Sequence, residues 1–341
     1  MHPPLKIGIV GFGRIGAEHA RWLSSSPLLR VHGITDATPA RRDLARVSGF
    51  SVQHDPRVLI EDPALDALLI SVPTSMHFDL AKQALEAGKH VMIEKPMTLH
   101  ADEALALIAV ATHQRRVLSV FHNRRWDVDF LTLRTLLASG AVGRVFNIES
   151  RLGQWSSCVG PAAREYRPGW RNEAAYGGGG LNDWGSHFID QMLQINLPAK
   201  VTRVYAQLQG NVWSTDCDDF ARVLMDFDNG VSAFVEINTT TLDPLPRWRV
   251  DGTAGSISSP SSLAFDTREW ATFTIRRPDG TTTQAGTLTQ GLTEVEIWEQ
   301  FARATQSDAP PAVRAESVIP TMLVLDAART SAREGRAVTI S

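Results

Sequence analysis

The feature that most constrains this chain is a glycine pattern near its beginning. An apolar run over residues 7–10 leads into Gly11-x-Gly13-x-x-Gly16, and the residues that follow favour a helix. Gly11 allows the tight turn, Gly13 lets the backbone approach a pyrophosphate, and Gly16 lets strand and helix pack closely. The free N–H groups and dipole of the helix N-terminus favour an anion. The pattern predicts a dinucleotide-binding unit; the alternative is an ordinary glycine-bearing strand–helix turn.

A carboxylate follows at the position where such a unit recognises a ribose. Asp36 ends a second apolar run, residues 29–35, twenty positions after Gly16. A carboxylate there accepts hydrogen bonds from the adenosine ribose hydroxyls and repels a 2′-phosphate. We therefore predict NAD as the preferred cofactor. NADP is the alternative, because Arg41 and Arg42 follow in the next helix.

Strand and helix patterns alternate over the first third of the chain. Strand-like runs cover residues 6–10, 30–35, 67–72, 90–93 and 117–121, with helix-like stretches at residues 39–47, 76–87 and 101–112. Such alternation favours a doubly wound parallel sheet, with a ligand across the carboxyl ends of its strands. We predict an α/β Rossmann domain that binds NAD(P) over residues 1–122.

The pattern changes after residue 122. Helix-like stretches cover residues 130–137, 183–194, 293–305 and 317–334, and strand-like runs cover residues 142–152, 201–208, 220–227, 231–239, 247–251, 256–258 and 272–276. Turn residues at 228–230 and 278–280 indicate antiparallel hairpins. We predict a substrate-binding α+β domain over residues 123–341, built on a mostly antiparallel open sheet. Its last helix could pack back on the first domain.

Two further expectations concern this second domain. Residues 153–180 show no clean period, and a loop that long is usually functional, so we predict that residues 153–176 form a flap over the site. The uncovered face of the open sheet must be covered somewhere, which predicts a homodimer or homotetramer.

Composition excludes several classes of protein. The chain has 341 residues, which favours two domains, and its net charge of −3 offers no basic surface for nucleic acid. Its two cysteines form neither a disulfide framework nor a zinc cluster, so a reducing cytoplasm is expected. No apolar run approaches the length of a membrane span, and the chain enters a strand too early to leave room for a signal peptide.

The first candidate for chemistry is Glu94-Lys95-Pro96, which directly follows the strand-like run at residues 90–93. In a doubly wound sheet this end faces the cofactor crevice. A lysine there can place a positive charge beside a reacting oxygen. The alternatives are that Lys95 reaches into solvent or pairs with Glu94. Pro96 fixes its own φ and restricts Lys95.

The second candidate is the glycine run that begins at Gly177 and leads into Asp183, His187 and Asp190. Asp183 and His187 are four positions apart and would share a helix face. Histidine with a near-neutral pKa can accept or donate a proton, and a nearby carboxylate can orient it. Asp190 could be that orienter or lie on the helix surface. The structural alternative is an N-capping Asp183 and a core His187; no third ligand supports a metal site.

The third candidate is the junction between the domains, residues 122–126. Asn123 could reach cofactor or substrate, whereas Arg124 and Arg125 could tie the domains together. Tryptophans flank the glycine run and could stack on the C–H faces of a sugar, although structural tryptophans are common. These tryptophans are Trp155, Trp170 and Trp184.

At these residues the sequence resembles the glucose–fructose oxidoreductase, inositol dehydrogenase and rhizopine-catabolism family (Gfo/Idh/MocA). The resemblance covers nearly the whole chain and rests on Gly11-Phe-Gly-Arg-Ile-Gly16, Ser71-Val-Pro73-Thr74-x-x-His77, Ala87-Gly-Lys-His-Val91, Glu94-Lys95-Pro96 and Gly177-Gly-Gly-x-Leu-x-Asp183-x-Gly-x-His187-x-x-Asp190. Residues 123–130 look nearest to scyllo-inositol-dehydrogenase-like members. Asn182 and Trp184 stand where that group has Tyr and Leu.

The resemblance implies a catalytic set of Lys95, Asp183 and His187, and a dimer or tetramer. It also implies the predicted cofactor contacts, which are Gly11, Phe12, Gly13, Arg14, Ile15, Gly16, Asp36, Ser71, Pro73, Thr74, His77, Glu94, Lys95, Asn123, Trp170 and Arg171. The predicted substrate contacts are Lys95, Asn123, Trp155, Asp183, Trp184 and His187.

The function we predict is an NAD(P)-dependent dehydrogenase of a sugar or polyol, in which His187 takes the hydroxyl proton, Lys95 holds and polarises the oxygen, and Asp183 orients the substrate and Lys95. Two alternatives remain: a glycoside hydrolase that retains NAD for transient oxidation, and a dinucleotide sensor without catalysis.

Overall fold

The computed structural model describes residues 3–158, 169–262, 265–285 and 288–340. The central part of the predicted flap, residues 159–168, lies outside these ranges. Among the described residues, no helix is long and apolar enough to cross a membrane.

The first part of the described chain forms a parallel sheet. Its strands are β1 (Leu5–Val10), β2 (Leu29–Thr35), β3 (Val52–Gln53), β4 (Ala67–Ile70), β5 (His90–Ile93) and β6 (Leu118–Val120). They lie in the order β3-β2-β1-β4-β5-β6. The order reverses between β1 and β4, which is where a doubly wound sheet opens a crevice. The predicted Rossmann sheet is therefore confirmed.

Helices follow most of these strands and cover the two faces of the sheet. They are α1 (Arg14–Ser24), α2 (Pro39–Val47), α3 (Arg57–Ile60), α4 (His77–Glu86) and α5 (Ala101–Gln114). Every residue of β4 is fully buried, as expected for a strand covered on both faces. This burial is why the central strands are continuous apolar runs without polar alternation.

The second part of the described chain is built on a larger sheet. The elements of this region up to its first hairpin are α6 (Val128–Ala138), β7 (Val145–Gly153), α7 (Ser186–Asn196), β8 (Val201–Gln209), β9 (Phe220–Phe227) and β10 (Ser232–Asn238). The later ones are β11 (Leu245–Pro246), β12 (Trp248–Gly252), β13 (Gly255–Ser258), β14 (Ser261–Ser262), α8 (Thr267–Trp270), β15 (Thr274–Arg276), β16 (Thr282–Gln284), α9 (Glu294–Gln306), α10 (Ile319–Glu334) and β17 (Val338–Thr339).

This sheet has the strand order β16-β15-β13-β12-β7-β10-β9-β8-β17. Its neighbours are antiparallel except for β7 and β10, which pair in parallel. Both predicted hairpins form, between β9 and β10 and between β15 and β16. In β9, Ala221, Val223 and Met225 are buried while Leu224 is exposed, so one face packs on helices and the other stays open. The predicted mostly antiparallel open sheet is confirmed.

One late helix returns to the first sheet. Ile297, Trp298 and Phe301 of α9 share an apolar core with Ile7 of β1 and Leu23 of α1. The last helix, α10, contacts β8 and α7 and also packs back on α5 of the Rossmann domain, as expected. The core of the Rossmann sheet therefore includes residues that lie far beyond residue 122.

Candidate active site

A cleft of about 310 Å³ lies at the carboxyl ends of the parallel strands. It runs from Asp36, after β2, to Lys95, after β5. Most of the predicted cofactor residues line it; these are Gly11, Gly13, Arg14, Ile15, Asp36, Ser71, Pro73, Thr74, His77, Glu94, Lys95, Trp170 and Arg171. The cleft also includes residues that the sequence analysis did not name as contacts, such as Thr38, His54 and Tyr176.

Three predicted cofactor residues do not line the cleft. The Phe12 side chain is buried in the core. Gly16 lies beneath the turn, where a Cβ would collide with the carbonyl oxygen of Gly11. The Asn123 amide donates a hydrogen bond to Glu294 Oε1 at 3.3 Å. Phe12 and Gly16 thus pack beneath the glycine turn, on the side away from the cleft. Asn123 instead contacts the start of α9.

The turn before α1 has the shape that a pyrophosphate requires. Gly11 has φ 95°, and a Cβ there would lie 2.5 Å from the carbonyl oxygen of Ser71. At Gly13, by contrast, no heavy atom of the described residues lies within 4 Å of a Cβ position. No side chain in the described chain caps the N-terminus of α1 at Gly13. An open, uncapped helix N-terminus suits the phosphates of a dinucleotide.

Asp36 is held at the other end of the cleft by two backbone donors. Its carboxylate accepts the N–H groups of Phe12 and Thr38, each at 2.7 Å. Arg42 Nη1 donates to the carbonyls of Asp36 and Ala37, both at 2.8 Å, while Arg41 lines the cleft. The carboxylate is therefore fixed where a ribose would lie, and Arg42 is engaged with backbone.

The turn after β5 is held by a buried histidine. The His77 ring nitrogens lie 3.0 Å from the carbonyl oxygen of Pro96 and 2.9 Å from that of Val72. Burial lowers the pKa of His77, although the backbone hydrogen bonds act in the opposite direction. The ring joins the segments that follow β4 and β5, and so fixes the position of Lys95.

Lys95 and Asp183 form an ion pair at this end of the cleft. Lys95 Nζ donates to Asp183 Oδ1 at 2.7 Å and to the Asp183 carbonyl at 2.9 Å. Arg171 Nε lies 3.5 Å from the same carboxylate oxygen. Burial raises the pKa of Asp183, but the charges of Lys95 and Arg171 outweigh it and leave the pKa below its usual value. The alternatives of a solvated Lys95 and an N-capping Asp183 are thus not observed.

His187 lies one turn beyond Asp183 and is buried. Its Nδ1 has no hydrogen-bond partner among the described residues. Burial, followed by the charge of Lys95, lowers its pKa well below the usual value. The expected near-neutral pKa is therefore wrong for this structure, because the buried imidazole is surrounded by cations and stays neutral.

The segment that carries Asp183 is not the regular α-helix predicted over residues 183–194. Residues Leu181–Gly185 form a π-helical turn, and α7 begins at Ser186. A Cβ on Gly178 would lie 2.5 Å from the carbonyl oxygen of Arg171. Because Gly178 has no side chain, the backbone at Arg171 can pack directly against the backbone that leads into Asp183. Asn182 donates to the carbonyls of Gly177 and Gly178 at 3.2 and 3.3 Å.

Asp190 has neither of its predicted roles. It is buried, and Arg125 binds it through two hydrogen bonds of 2.7 Å. Arg125 also donates to Ser317 Oγ at 2.9 Å, so this arginine joins the junction to α7 and the segment before α10. Both partners of Arg125 lie in the second predicted domain, so this arginine ties the junction to that domain and does not join the two domains as expected.

The aromatic residues near the site are largely occupied by other side chains. Trp184 stacks on Phe265 with ring centroids 5.0 Å apart, and the Arg124 guanidinium lies 4.2 Å from the Phe265 ring centroid. Arg171 covers Trp170 at 4.4 Å. Trp155 contacts Trp213 at 5.5 Å and is about half exposed. Trp170 lines the cleft, whereas Trp155 and Trp184 do not.

Two residues beside the catalytic candidates were given no role by the sequence analysis, although His122 begins its third candidate segment. The His122 ring meets His187 edge-on, with centroids 5.6 Å apart. Burial raises the pKa of the Cys158 thiol well above its usual value, and the negative charges of Asp183 and Asp218 raise it further. The place of His122 beside the site could have been inferred, because it follows β6 and the carboxyl ends of parallel strands meet at one edge. No sequence signal marked Cys158.

A metal centre finds no support in the described ranges. They contain no group of three or more His, Cys, Asp or Glu residues arranged to hold an ion. The polar groups at the end of the cleft are instead paired with each other, as Lys95 is with Asp183.

Two family models match the chain. Residues 5–122 match the oxidoreductase family with an NAD-binding Rossmann fold, and residues 130–258 match the GFO/IDH/MocA C-terminal domain. Together they cover most of the chain, including the whole parallel sheet and six strands of the larger sheet.

Individual proteins agree with these models. The uncharacterized oxidoreductase YdgJ of Escherichia coli is 39% identical over 220 residues, which is 63% of this chain and 61% of that protein. The scyllo-inositol 2-dehydrogenase (NADP(+)) IolW of Bacillus subtilis is 27% identical over 98% of this chain and 95% of its own length. A solved NAD-binding protein from Listeria innocua has a TM-score of 0.85 at 30% identity, covering 98% of this chain and 96% of its own. The chain therefore belongs to the Gfo/Idh/MocA family of oxidoreductases, with an NAD-binding Rossmann domain.

Proposed function

We propose that this oxidoreductase transfers a hydride between nicotinamide and a ring carbinol carbon of a sugar or polyol. The observation that carries the proposal is the Lys95–Asp183 ion pair of 2.7 Å at the end of the dinucleotide cleft, with His187 one turn away. The similarity to IolW, a scyllo-inositol 2-dehydrogenase, adds support for a cyclic polyol.

Lys95 is the residue placed to hold and polarise the reacting oxygen. An ammonium group in a site largely shielded from water stabilises developing negative charge more strongly than it would in solution. Asp183 stays ionised because its pKa is lowered, so it keeps Lys95 in place and can accept a hydrogen bond from a substrate hydroxyl. The bound nicotinamide dinucleotide supplies the hydride chemistry.

His187 is the proposed proton acceptor. Its lowered pKa leaves it neutral near pH 7, which is the state that a base needs during alcohol oxidation. Nδ1 lacks a partner in the described part of the chain. In the reverse direction the same ring would return the proton to the carbonyl oxygen.

A substrate panel tests the reaction. Inositols, aldoses and anhydrosugars are offered with NAD or NADP, and the absorbance of reduced nicotinamide is recorded. We expect oxidation of at least one ring alcohol that depends on added cofactor. Hydrolysis of a glycoside without net reduction of NAD would instead identify the hydrolase, and cofactor binding without turnover would identify a sensor.

We also propose NAD over NADP, by about tenfold or more in kcat/KM, which is the effect of one misplaced charge contact. The fixed carboxylate of Asp36 supports this preference, as does the engagement of Arg42 with backbone carbonyls. Asp36→Ser should narrow or reverse the preference. A wild-type preference for NADP would show that Arg41 governs this end of the cleft.

A second copy of the chain is the proposed occupant of the open sheet face, in a homodimer or homotetramer. Tyr205, Leu224 and Phe234 are cross-strand neighbours on that face. Tyr205 and Leu224 are about two-fifths exposed. Ion pairs flank this apolar row, including one between Arg222 and Glu236 at 3.4 Å. An apolar centre with a charged surround is typical of an interface.

A cytoplasmic location is part of the same proposal. Cys158 and Cys217 are free thiols, as expected in a reducing compartment. Fractionation of the producing cell, with detection of the native chain, tests this location.

A further inference from the structure

A buried histidine lies directly behind the cleft and contacts one of its carboxylates. His19, on α1, is fully buried, and its Nε2 lies 2.7 Å from Glu94 Oε1. Glu94 lines the cleft beside Lys95, and its side chain is 13% exposed. The other carboxylate oxygen accepts the N–H of Lys95 at 3.1 Å. Glu94 therefore has one face towards the protein and one towards the cleft.

The second nitrogen of His19 has a donor that sets the tautomer. Trp298 Nε1 lies 2.9 Å from His19 Nδ1. An indole N–H can only donate, so Nδ1 must be the accepting nitrogen of a neutral ring. The proton therefore lies on Nε2, which donates to Glu94. Because the indole N–H can only donate, both hydrogen bonds run in one direction: Trp298 donates to His19, and His19 donates to Glu94.

Aromatic rings hold the imidazole in this orientation. Trp22, Phe121 and Trp298 meet the His19 ring with centroids 4.9, 4.4 and 5.5 Å away, each close to edge-on. Trp298 is itself fully buried on α9. A ring enclosed on these sides cannot turn without disturbing the core, so the hydrogen bond to Glu94 is fixed in direction.

We propose that Trp298 and His19 are positioning residues that hold the Glu94 carboxylate, ionised and fixed in direction, for the nicotinamide riboside half of the cofactor. This inference rests on the proposed cofactor function. The adenosine end of the cleft is at Asp36, so Glu94 lies at the other end, where the hydroxyl and amide groups of a nicotinamide riboside offer donors. The role of His19 and Trp298 is to keep the accepting oxygens of Glu94 pointed at those donors.

The ionisation of Glu94 depends on its surroundings in a way that a test can use. Burial raises the pKa of Glu94, and the hydrogen bond from His19 with the charge of Lys95 outweighs burial, so the pKa lies below its usual value. The charged or titratable groups that also act on Glu94 are Arg14, His77 and His122. On α9, Glu299 is engaged by Ser26 at 2.8 Å. None of these groups changes when His19 is replaced.

The experiment measures the dissociation constant of NADH by calorimetry between pH 5 and 8. In the wild type we expect a flat profile, because Glu94 stays ionised. In His19→Leu, the largest of the contributions that offset burial is lost and only Lys95 still opposes it, so Glu94 takes up a proton as the pH falls and NADH binding weakens on the acid side. We expect a loss of about tenfold at pH 5.5 for one charge-assisted hydrogen bond. His19→Gln, whose amide can donate, should restore the flat profile.

Trp298→Phe tests the remote end of the chain of hydrogen bonds. It keeps a ring but removes the N–H, so the proton of His19 is no longer fixed on Nε2, and we expect NADH to bind about threefold to tenfold more weakly. Trp22→Phe is the matched control, because Trp22 also packs on the His19 ring, whereas the donor to Nδ1 is Trp298. NADH affinity in that control should stay within twofold.

The outcomes separate the two proposals. If the wild type does not bind NADH, the proposed cofactor function fails. If the wild type binds and His19→Leu keeps a flat profile at unchanged affinity, the positioning role is wrong. Thermal unfolding of every variant accompanies the titrations, since a purely structural role would lower the unfolding temperature without creating an acid limb in NADH binding.

Discussion

At the scale of single residues, strand topology predicted that Lys95 would lie at the cleft, and the family resemblance suggested its catalytic role. The carboxyl ends of parallel strands meet at one edge, so a lysine directly after β5 had to face the crevice. Its partner Asp183 is 88 positions away, and the resemblance, together with the helical spacing, brought it into the same set. Such residues are predictable because their positions follow from where elements end.

Replacing Lys95 by Met tests its role most directly. Turnover should fall by about a hundredfold or more, because the donor that stabilises charge on the oxygen is lost. NADH binding, measured by titration, should persist. Lys82→Met is the matched control, since Lys82 lies on the exposed side of α4. Turnover within a few-fold of the wild type in Lys95→Met would remove Lys95 from the mechanism.

His187 should give alcohol oxidation an unusual pH dependence. A base must be neutral, so the rate rises with pH as the imidazole loses its proton. Because the pKa of His187 is well below its usual value, this limb should lie on the acid side of about pH 6.5, the ordinary histidine pKa, and kcat/KM should be level above it.

The competing source of such a limb is His122, whose pKa burial lowers to about 4. His187→Asn should abolish the limb, whereas His122→Asn should keep it. Profiles of kcat/KM from pH 4.5 to 8.5 for both variants decide between the two histidines. A limb that survives in His187→Asn would assign the base elsewhere.

Residue pairs that depend on packing could not be predicted. Asp190 and Arg125 are 65 positions apart, and nothing in their local sequence distinguishes a buried ion pair from two surface charges. The same holds for the Trp298 indole and His19, which are 279 positions apart. Local spacing predicts which side chains share an element, but only the packing of whole elements decides which of them meet.

At the scale of elements, the π-helical turn at Leu181–Gly185 shows where periodicity fails. Asp218 accepts the N–H of Leu181 at 2.7 Å through its carboxylate and that of Gly180 at 2.8 Å through its carbonyl. These contacts come from the segment before β9 and hold the start of the turn. A helical pattern predicts a regular α-helix, because it contains no information about a partner 37 positions away.

The ionisation of Asp218 should make the free energy of unfolding depend on pH. Burial raises its pKa to about 6, above the value of about 3.9 expected when unfolded. Its charged form is therefore disfavoured in the fold, so its contribution to stability is full below about pH 4 and is lost as the pH rises through 6. Asp218→Asn keeps an acceptor for Leu181 and removes the charge.

We compare the free energy of unfolding of Asp218→Asn with that of the wild type at pH 7.5 and at pH 4.5. The difference between variant and wild type should favour the variant by about 1–3 kcal/mol more at pH 7.5 than at pH 4.5. Denaturant unfolding of both proteins at the two pH values measures this gain. Asp216→Asn, on the same segment but exposed, is the matched control and should show no such pH-dependent difference. An equal difference for Asp218→Asn at both pH values would contradict the raised pKa.

At the scale of the whole molecule, the proposed assembly through the open sheet face can be tested with one substitution. Leu224→Arg places a charge in the middle of the apolar row and should convert a dimer or tetramer into smaller species. Leu105→Arg on α5 is the matched control, because Leu105 is similarly exposed but lies in the Rossmann half. Light scattering coupled to size exclusion reports the mass of each. A wild-type monomer at micromolar concentration would overturn the proposed assembly.

The return of α9 to the Rossmann core sets the order in which the protein can be completed. Ile297, Trp298 and Phe301 fill the space beside α1 and β1, yet the last strand of that sheet ends at Val120. At about 5–20 residues per second, a ribosome needs about 10–40 s to synthesise the stretch between them. During that interval the apolar surface on which α9 will pack stays exposed in the nascent first half. The half of the enzyme that emerges first is therefore completed only after most of the second half has been synthesised, and this window is when a chaperone would have most to protect.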